Sequence, residues 1–277
     1  MDKKADYKIF GKKVFFLYPS FTFQSEVIDR LRTLEYEVYI LNDYKIVKNI
    51  LLKNPDSLLY INIDNNFNAN TWINFIQSIE DSSERYGNCK IGIFAEKTPV
   101  DTVKRFDKEI LHEAENISLT GDWDENFRAV VKLLDMHEAK GMRQYVRTTC
   151  KNDSTAEVFW LEKNKMFKFK LIDISSTGLA VKIPEKMADQ LHPGQLLKNI
   201  SLMLRGNALK INASIFAIKH GRPFCTGVFM IQNDTAKSAI ETIRIYISEN
   251  LYRLVEDSIF GMQIDRTDYS LDKVVTK

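Results

Sequence analysis

The sequence predicts an α/β half followed by an all-β half. The first is an open, doubly wound five-stranded parallel sheet, and the second a six-stranded antiparallel barrel with a C-terminal helix. Three observations predict this. Short, wholly apolar runs alternate with helix-spaced apolar residues as far as about Lys140. From about Ala156 the pattern becomes an alternation of apolar and polar residues broken by short turns. A three-four spaced apolar stripe then runs through Ile240, Ile243, Ile247, Leu251 and Leu254.

In the first half, the strands are expected at Val14–Tyr18, Glu37–Leu41, Leu58–Ile63, Lys90–Phe94 and Ile117–Leu119. Runs this short and this apolar fit strands covered by helices on both faces. The intervening helices bury Val27, Leu31 and Leu34; Val47, Ile50 and Leu51; Trp72, Phe75, Ile76 and Ile79; Val103, Phe106 and Ile110; and Phe127, Val130, Val131 and Leu134. Ser20 or Ser25 caps the first of them, and the second stops before Pro55. Lys140 and Gly141 are placed at the end of the last, with the glycine as a left-handed stop.

In the second half, Glu157–Leu161 and Met166–Asp173 are the first two strands, joined by a turn over Glu162–Lys165. Leu179–Ile183, Ile200–Leu204, Leu209–Phe216 and Cys225–Met230 complete a barrel. Tight turns are expected at Arg205–Asn207 and at His220–Pro223. Asn233–Asp234 would cap a helix running from Thr235 to about Leu254, packed on the barrel or the first domain, or forming a dimer seam. The tail from about Asp265 is polar and frays.

Charge is nearly balanced, with 39 Lys+Arg against 37 Asp+Glu and a net of +2, which argues against a general nucleic-acid binder. A local anionic ligand stays open. No run approaches a membrane span and no signal-peptide core is present, so a cytoplasmic protein is expected. The three cysteines, Cys89, Cys150 and Cys225, form no C-x-x-C pair and read as free thiols. His112, His137, His192 and His220 are scattered without metal-ligand spacing. No nucleophile–base pairing or phosphate loop stands out, and the chain is read as a non-enzyme without a metal or cofactor.

The strand–helix order of residues 1–140 resembles the receiver (flavodoxin-like) domain of two-component signalling. The chemistry departs from that family. A phosphorylated carboxylate needs Mg2+ held by an acidic pair after the first strand, but the chain there reads Leu17-Tyr18-Pro19-Ser20. Asp64 falls about where the resemblance implies a phosphoacceptor. The hydroxyl expected after the fourth strand is replaced in Phe94-Ala95-Glu96, and Ser118-Leu119-Thr120-Gly121-Asp122 lacks the lysine. A turn or cap role for Asp64 is the favoured reading, which makes the domain a pseudo-receiver. The turn Tyr18–Phe23 has no glycine for a bound phosphate, and Phe21 and Phe23 are read as packing on the next loop rather than as an interaction surface.

Residues 141–277 form the second domain. Arg143 and Arg147 make an R-x-x-x-R pair on an arm between the two halves, and Asp173-Ile174-Ser175-Ser176-Thr177-Gly178 is a D-x-S-x-x-G run. Guanidiniums fork onto phosphate oxygens or the O6/N7 edge of guanine, and Asp and Ser take the remaining polar edge. With the late strand Thr226-Gly227-Val228-Phe229, these motifs make residues 141–232 resemble the PilZ domain, the bacterial receptor for cyclic di-GMP. Where the family often carries an aromatic three residues after the glycine, Met230 stands here. The resemblance implies that Arg143 and Arg147 clamp phosphate and guanine. It gives Asp173 and Ser175 the second guanine, and has Gly178 turn the chain so that the ligand approaches the backbone. It implies a cyclic di-GMP effector in which binding resets the interdomain angle and so regulates a protein partner. The alternatives are a response regulator phosphorylated at Asp64 with a barrel output domain, and a barrel binding RNA or single-stranded DNA with Tyr145, Trp160 and Phe167 as stacking platforms.

Overall fold

The computed structural model describes residues 10–64, 67–109, 116–162 and 165–262. The expectations for Ile110, His112, the turn residues Lys163 and Asn164, and the tail from Asp265 lie outside the described residues. Contacts divide the chain into two compact units, Met1–Gln144 with Leu254–Lys277, and Tyr145–Arg253.

In the first unit, β1 (Val14–Leu17), β2 (Val38–Leu41), β3 (Leu58–Asn62), β4 (Lys90–Ala95) and β5 (Ile117–Ser118) pair in parallel. Their order is β2-β1-β3-β4-β5, the doubly wound arrangement expected. Every residue of β1 and β3 is buried, as strands covered on both faces require. Ser20 does cap the first helix, its Oγ accepting from the Phe23 N–H at 3.2 Å. That helix runs through Phe21–Phe23, a π-helical turn over Gln24–Ile28, and Asp29–Thr33. It buries Val27 and Leu31 but leaves Leu34 40% exposed, because the helix stops at Thr33 and the chain leaves through Glu35 at φ 64°. The helices Val47–Lys53, Ala69–Glu80, Val100–Glu109 and Trp123–Met136 follow.

The last of these does not end at Gly141. It stops at Met136, where Ala139 N–H bonds the Leu134 carbonyl at 2.9 Å and Glu138 N–H the Asp135 carbonyl at 3.0 Å. This is a Schellman closure, with Glu138 as the left-handed residue at φ 53°. Ala139, buried in the unit's core, fixes the stop that Gly141 was expected to supply.

In the second unit, β6 (Arg147–Thr149) joins the edge of β8 (Lys165–Ser175). With β7 (Glu157–Glu162), β9 (Gly178–Pro184), β10 (Leu196–Leu204), β11 (Asn207–Lys219) and β12 (Phe224–Ile231), β8 makes a closed antiparallel barrel in the order β8-β7-β10-β11-β12-β9 and back to β8. Inward positions alternate along each strand, with Phe167, Phe169 and Leu171 of β8, Leu179, Val181 and Ile183 of β9, and Phe229 of β12 filling the interior. Arg205 and Gly206 take φ 47° and 80°, the left-handed pair of a two-residue hairpin, as their sequence predicts.

The helix Lys237–Ile259 begins later than expected. Asp234 does not cap it, because its carboxylate accepts from Asn212 Nδ2 at 3.0 Å, while the Thr235 hydroxyl accepts from the Asn212 N–H at 3.1 Å. Both residues tie the chain to β11 instead. Ile243 and Ile247 of the stripe are buried.

Candidate ligand-binding site

Because side chains alternate across a strand, the inward set fixes the outward one. Leu179, Val181 and Ile183 point in, so Gly178, Ala180 and Lys182 lie on the outer side of β9. On β12 the outer residues are Thr226, Val228 and Met230, and on β6 they are Arg147 and Thr149. A bulge in β8 between Leu171 and Asp173 resets its alternation, bringing Asp173 to the outer side. Without that extra residue, Asp173 would share the inward side with Leu171.

Pairing register then aligns these residues in transverse rows. One row is Met230, Gly178, Ser175 and Arg147, built from the pairs Met230–Gly178 and Ser175–Arg147, with the Ser176–Thr177 turn joining Ser175 to Gly178. The next is Val228, Ala180, Asp173 and Thr149. Arg147, Asp173, Ser175 and Gly178 therefore meet on one patch of wall, although Arg147 and Asp173 are 26 positions apart in the sequence. The patch has a low floor, since Gly178 and Ala180 carry almost no side chain. Arg147 is exposed, Asp173 partly exposed, and neither has an ion pair among the described residues.

Local bonds and packing show how two of these residues are held. The Ser175 hydroxyl is buried and engaged with its own turn, accepting from the Gly178 N–H at 3.1 Å and donating to the Gly178 carbonyl at 3.2 Å. Gly178 does not turn the chain, for it is an extended residue of β9. What it supplies is room, since a Cβ there would stand 3.0 Å from the Phe229 carbonyl oxygen and 3.5 Å from Met230 Sδ. Gly227, of the late-strand motif, is inward, where a Cβ would meet Ile183 Cδ1 at 2.5 Å.

Arg143 belongs to the first unit, where its Cζ lies 3.9 Å from the centre of the Phe10 ring. Gly11 has φ 83°, and a Cβ on it would come within 2.5 Å of the Ala139 carbonyl oxygen. Lys12 N–H bonds that same oxygen at 2.9 Å, so Gly11 and Lys12 are laid tightly against the start of the arm. Tyr145 is 37% exposed, but Trp160 and Phe167 are barrel core, with ring centres 4.8 Å apart. They cannot serve as stacking platforms, and the oligonucleotide-binding expectation loses two of its three residues.

Asp64 is held by the loop after β4. Its Oδ2 accepts from Glu96 N–H at 2.7 Å, and its Oδ1 from Thr98 N–H at 2.8 Å and from the Thr98 hydroxyl at 2.7 Å, with Lys97 N–H also in reach at 3.1 Å. Partial burial pushes the carboxyl up, but these bonds outweigh it and leave the group below its ordinary value. A hydroxyl thus stands two residues beyond Glu96, at Thr98, where it is bonded to the Asp64 carboxylate. Phe23 packs in the core, as favoured, while Phe21 is 84% exposed. Among the described residues no cluster of His, Cys, Asp or Glu could hold a metal ion, and no helix is long and apolar enough to cross a membrane.

Ala180, Val228 and Met230 as a floor, and the lysines beside them, escape a reading of the motifs alone. Their outward register depends on the β8 bulge, which alternation alone does not reveal.

No known family profile and no curated protein matches the chain. Solved structures do. The PilZ domain of YcgR from Escherichia coli with c-di-GMP is 16% identical, at TM-score 0.37, over 43% of this chain and 98% of that one. The inhibitor of motility MotI of Bacillus subtilis is 17% identical at TM-score 0.35, over 41% of this chain and 53% of that one. MrkH of K. pneumonia in complex with c-di-GMP is 17% identical at TM-score 0.34, over 43% and 55%. The chain thus spans about half the length of the longer proteins it matches. In likeness, then, the chain is similar over about two-fifths of its length to structures that include a PilZ domain solved with c-di-GMP.

Proposed function

We propose that the protein is a non-enzymatic receptor for cyclic di-GMP, whose binding regulates a protein partner through a change in interdomain arrangement. In this reading residues 1–140 are a receiver-like domain that is not phosphorylated, and residues 141–277 a PilZ-type barrel. The observation that carries it is the meeting of Arg147, Asp173, Ser175 and Gly178 on one low-floored patch of outer wall. A planar base can lie on Gly178, Ala180 and Val228. Asp173 then accepts from the guanine N–H edge, and Arg147 forks onto phosphate or the O6/N7 edge. Ser175 holds the turn, with one oxygen lone pair left for the ligand. Arg143 lies four residues before Arg147, a tether of at most about 14 Å. It reaches the ligand by leaving Phe10, a contact of about 0.5–1 kcal/mol at an exposed site.

Against phosphorylation of Asp64 stands its geometry: both carboxylate oxygens are already taken by the 96–98 loop. Against an oligonucleotide ligand stands the burial of Trp160 and Phe167.

Titration calorimetry of the purified chain with cyclic di-GMP, with GTP and cyclic di-AMP as controls, is the test. Charge-assisted bonds to arginine contribute about 1.5–3 kcal/mol each, so Arg147→Ala and Arg143→Ala should each lower affinity about tenfold or more. Undiminished binding by both variants would remove the arginine assignment, and equal affinity for all three nucleotides would remove the guanine-dinucleotide reading.

A further inference from the structure

Beyond the floor, the wall carries a further row. Lys219 of β11 pairs with Thr226, Thr226 with Lys182, Lys182 with Lys170, and Lys170 with Glu157. Three lysines thus stand on the outer side of four adjacent strands, with Lys182 and Lys170 directly opposite one another. Like charges directly opposite across a sheet are unfavourable. The acid in the row does not relieve the pair, because the Glu157 carboxylate is bridged to Lys168 Nζ at 2.9 Å. Lys182 rests over the Phe224 ring, 3.9 Å from its centre, and Lys170 has no hydrogen bond or ion pair among the described residues.

The placement of this pair gives it meaning. Along β9 it lies four residues from Gly178, about 13 Å at a strand's rise per residue. Arg147 therefore marks one end of the low floor and the Lys170–Lys182 pair the other, with Gly178, Ala180 and Val228 between. A wall with cations at both ends of a strip of small side chains fits a flat molecule that carries more than one negative charge. We infer that Lys170 and Lys182 form a second anion subsite, binding a phosphodiester at the end of the floor remote from Arg147. This rests on the receptor reading above and extends it. The subsite makes affinity depend on the ligand's second phosphate, supplied by the same dinucleotide or by a second molecule beside it. The Lys182 ammonium exchanges an exposed ring face for phosphate oxygens, and the charge opposition between the two strands is relieved at the same moment.

That mechanism predicts opposite signs for binding and stability. Lys170→Gln and Lys182→Gln should each weaken cyclic di-GMP binding about fivefold, and the double variant about twentyfold, on the scale of charge-assisted bonds partly screened by solvent. The thermal midpoint of the ligand-free double variant should hold or rise by about 2 °C, because the opposed charges are gone. Lys182→Arg, which keeps the charge, should bind within about twofold of the parent. In calorimetry, weaker binding at unchanged stoichiometry identifies the second phosphate of one molecule, whereas loss of one bound equivalent identifies a second molecule. Wild-type affinity in the double variant overturns the subsite while leaving the receptor reading intact. So does a joint fall of affinity and midpoint that Lys182→Arg fails to restore, since that is a structural role. Failure of the wild-type protein to bind overturns both.

Discussion

The carboxylate of Asp64 and that of Asp153 show how single residues hold the loops of the two units. Asp64 binds three backbone N–H groups and one hydroxyl of the 96–98 loop. Asp153 accepts from the Thr155 N–H and hydroxyl, the Arg205 N–H and the Tyr246 hydroxyl. In each, burial pushes the carboxyl up but the hydrogen bonds outweigh it, so both titrate below the ordinary carboxylate range. A folded-state value below the unfolded one means that the native state binds the proton less readily. Its stabilisation is therefore present above about pH 4, the unfolded carboxylate range, and is lost as pH falls through the depressed values. Chemical denaturation between about pH 2 and pH 6 should show stability declining at the acid end, and Asp64→Asn with Asp153→Asn should flatten that decline. The same geometry predicts that a small phosphodonor with Mg2+ adds no phosphate to the protein. A mass increment lost in Asp64→Asn would restore the phosphorylated-regulator reading. At this scale the sequence was legible only in part: Asp64 reads correctly as a turn-holding acid, but Thr98 escapes because a spacing rule looks for the hydroxyl two residues earlier.

At the scale of elements, β6 is three residues long and carries Arg147, so whatever holds β6 also positions the guanidinium. Besides its pairing with β8, the strand is tied to the C-terminal helix. Asn250 is buried and donates through Nδ2 to Thr148 Oγ1 at 2.9 Å and to the Thr149 carbonyl at 2.6 Å. Removing that amide takes away the donor to the buried Thr148 hydroxyl and leaves the Thr149 carbonyl only the longer bond from Thr148 Oγ1 at 3.5 Å, at a cost of about 1–3 kcal/mol. Asn250→Ala should lower stability by that amount and speed amide exchange at Thr148 and Thr149. It should also weaken cyclic di-GMP binding by loosening Arg147, although Asn250 lies on the inner side of β6. Normal exchange at β6 together with normal affinity would show that the strand needs no such tie. The elements themselves were largely legible. Short apolar runs marked the five parallel strands within a residue at every end, and alternation marked the six barrel strands. Where reading failed, tertiary bonds had overruled a local preference. The Schellman closure at Glu138 and Ala139 stopped a helix before Gly141, and the Asn212 bonds drew Asp234 and Thr235 away from capping.

Across the whole molecule, the motif residues could be chosen from the sequence, but not the surface that they make. R-x-x-x-R and D-x-S-x-x-G name side chains, whereas the β8 bulge and the β8–β9–β12 register decide that Asp173 shares a wall with Arg147 and Ala180. Register is a non-local property, fixed by which strands close the barrel, and a one-residue change would carry the set to the other face. The same division of labour can be read out thermally. A ligand that binds only the folded barrel stabilises it by RT ln(1 + [L]/Kd), about 2.7 kcal/mol at a hundredfold excess over Kd. Of the three tryptophans, Trp72 and Trp123 lie in the first unit, and Trp160 is in the barrel core beside Phe167. In a Trp72→Phe/Trp123→Phe variant, fluorescence reports the barrel alone. Its unfolding midpoint should rise by several degrees when cyclic di-GMP is added, and should not move when cyclic di-AMP is added. The rise should shrink in Arg147→Ala at the same ligand concentration. An equal rise in Arg147→Ala would mean that the nucleotide stabilises the barrel from somewhere other than this wall.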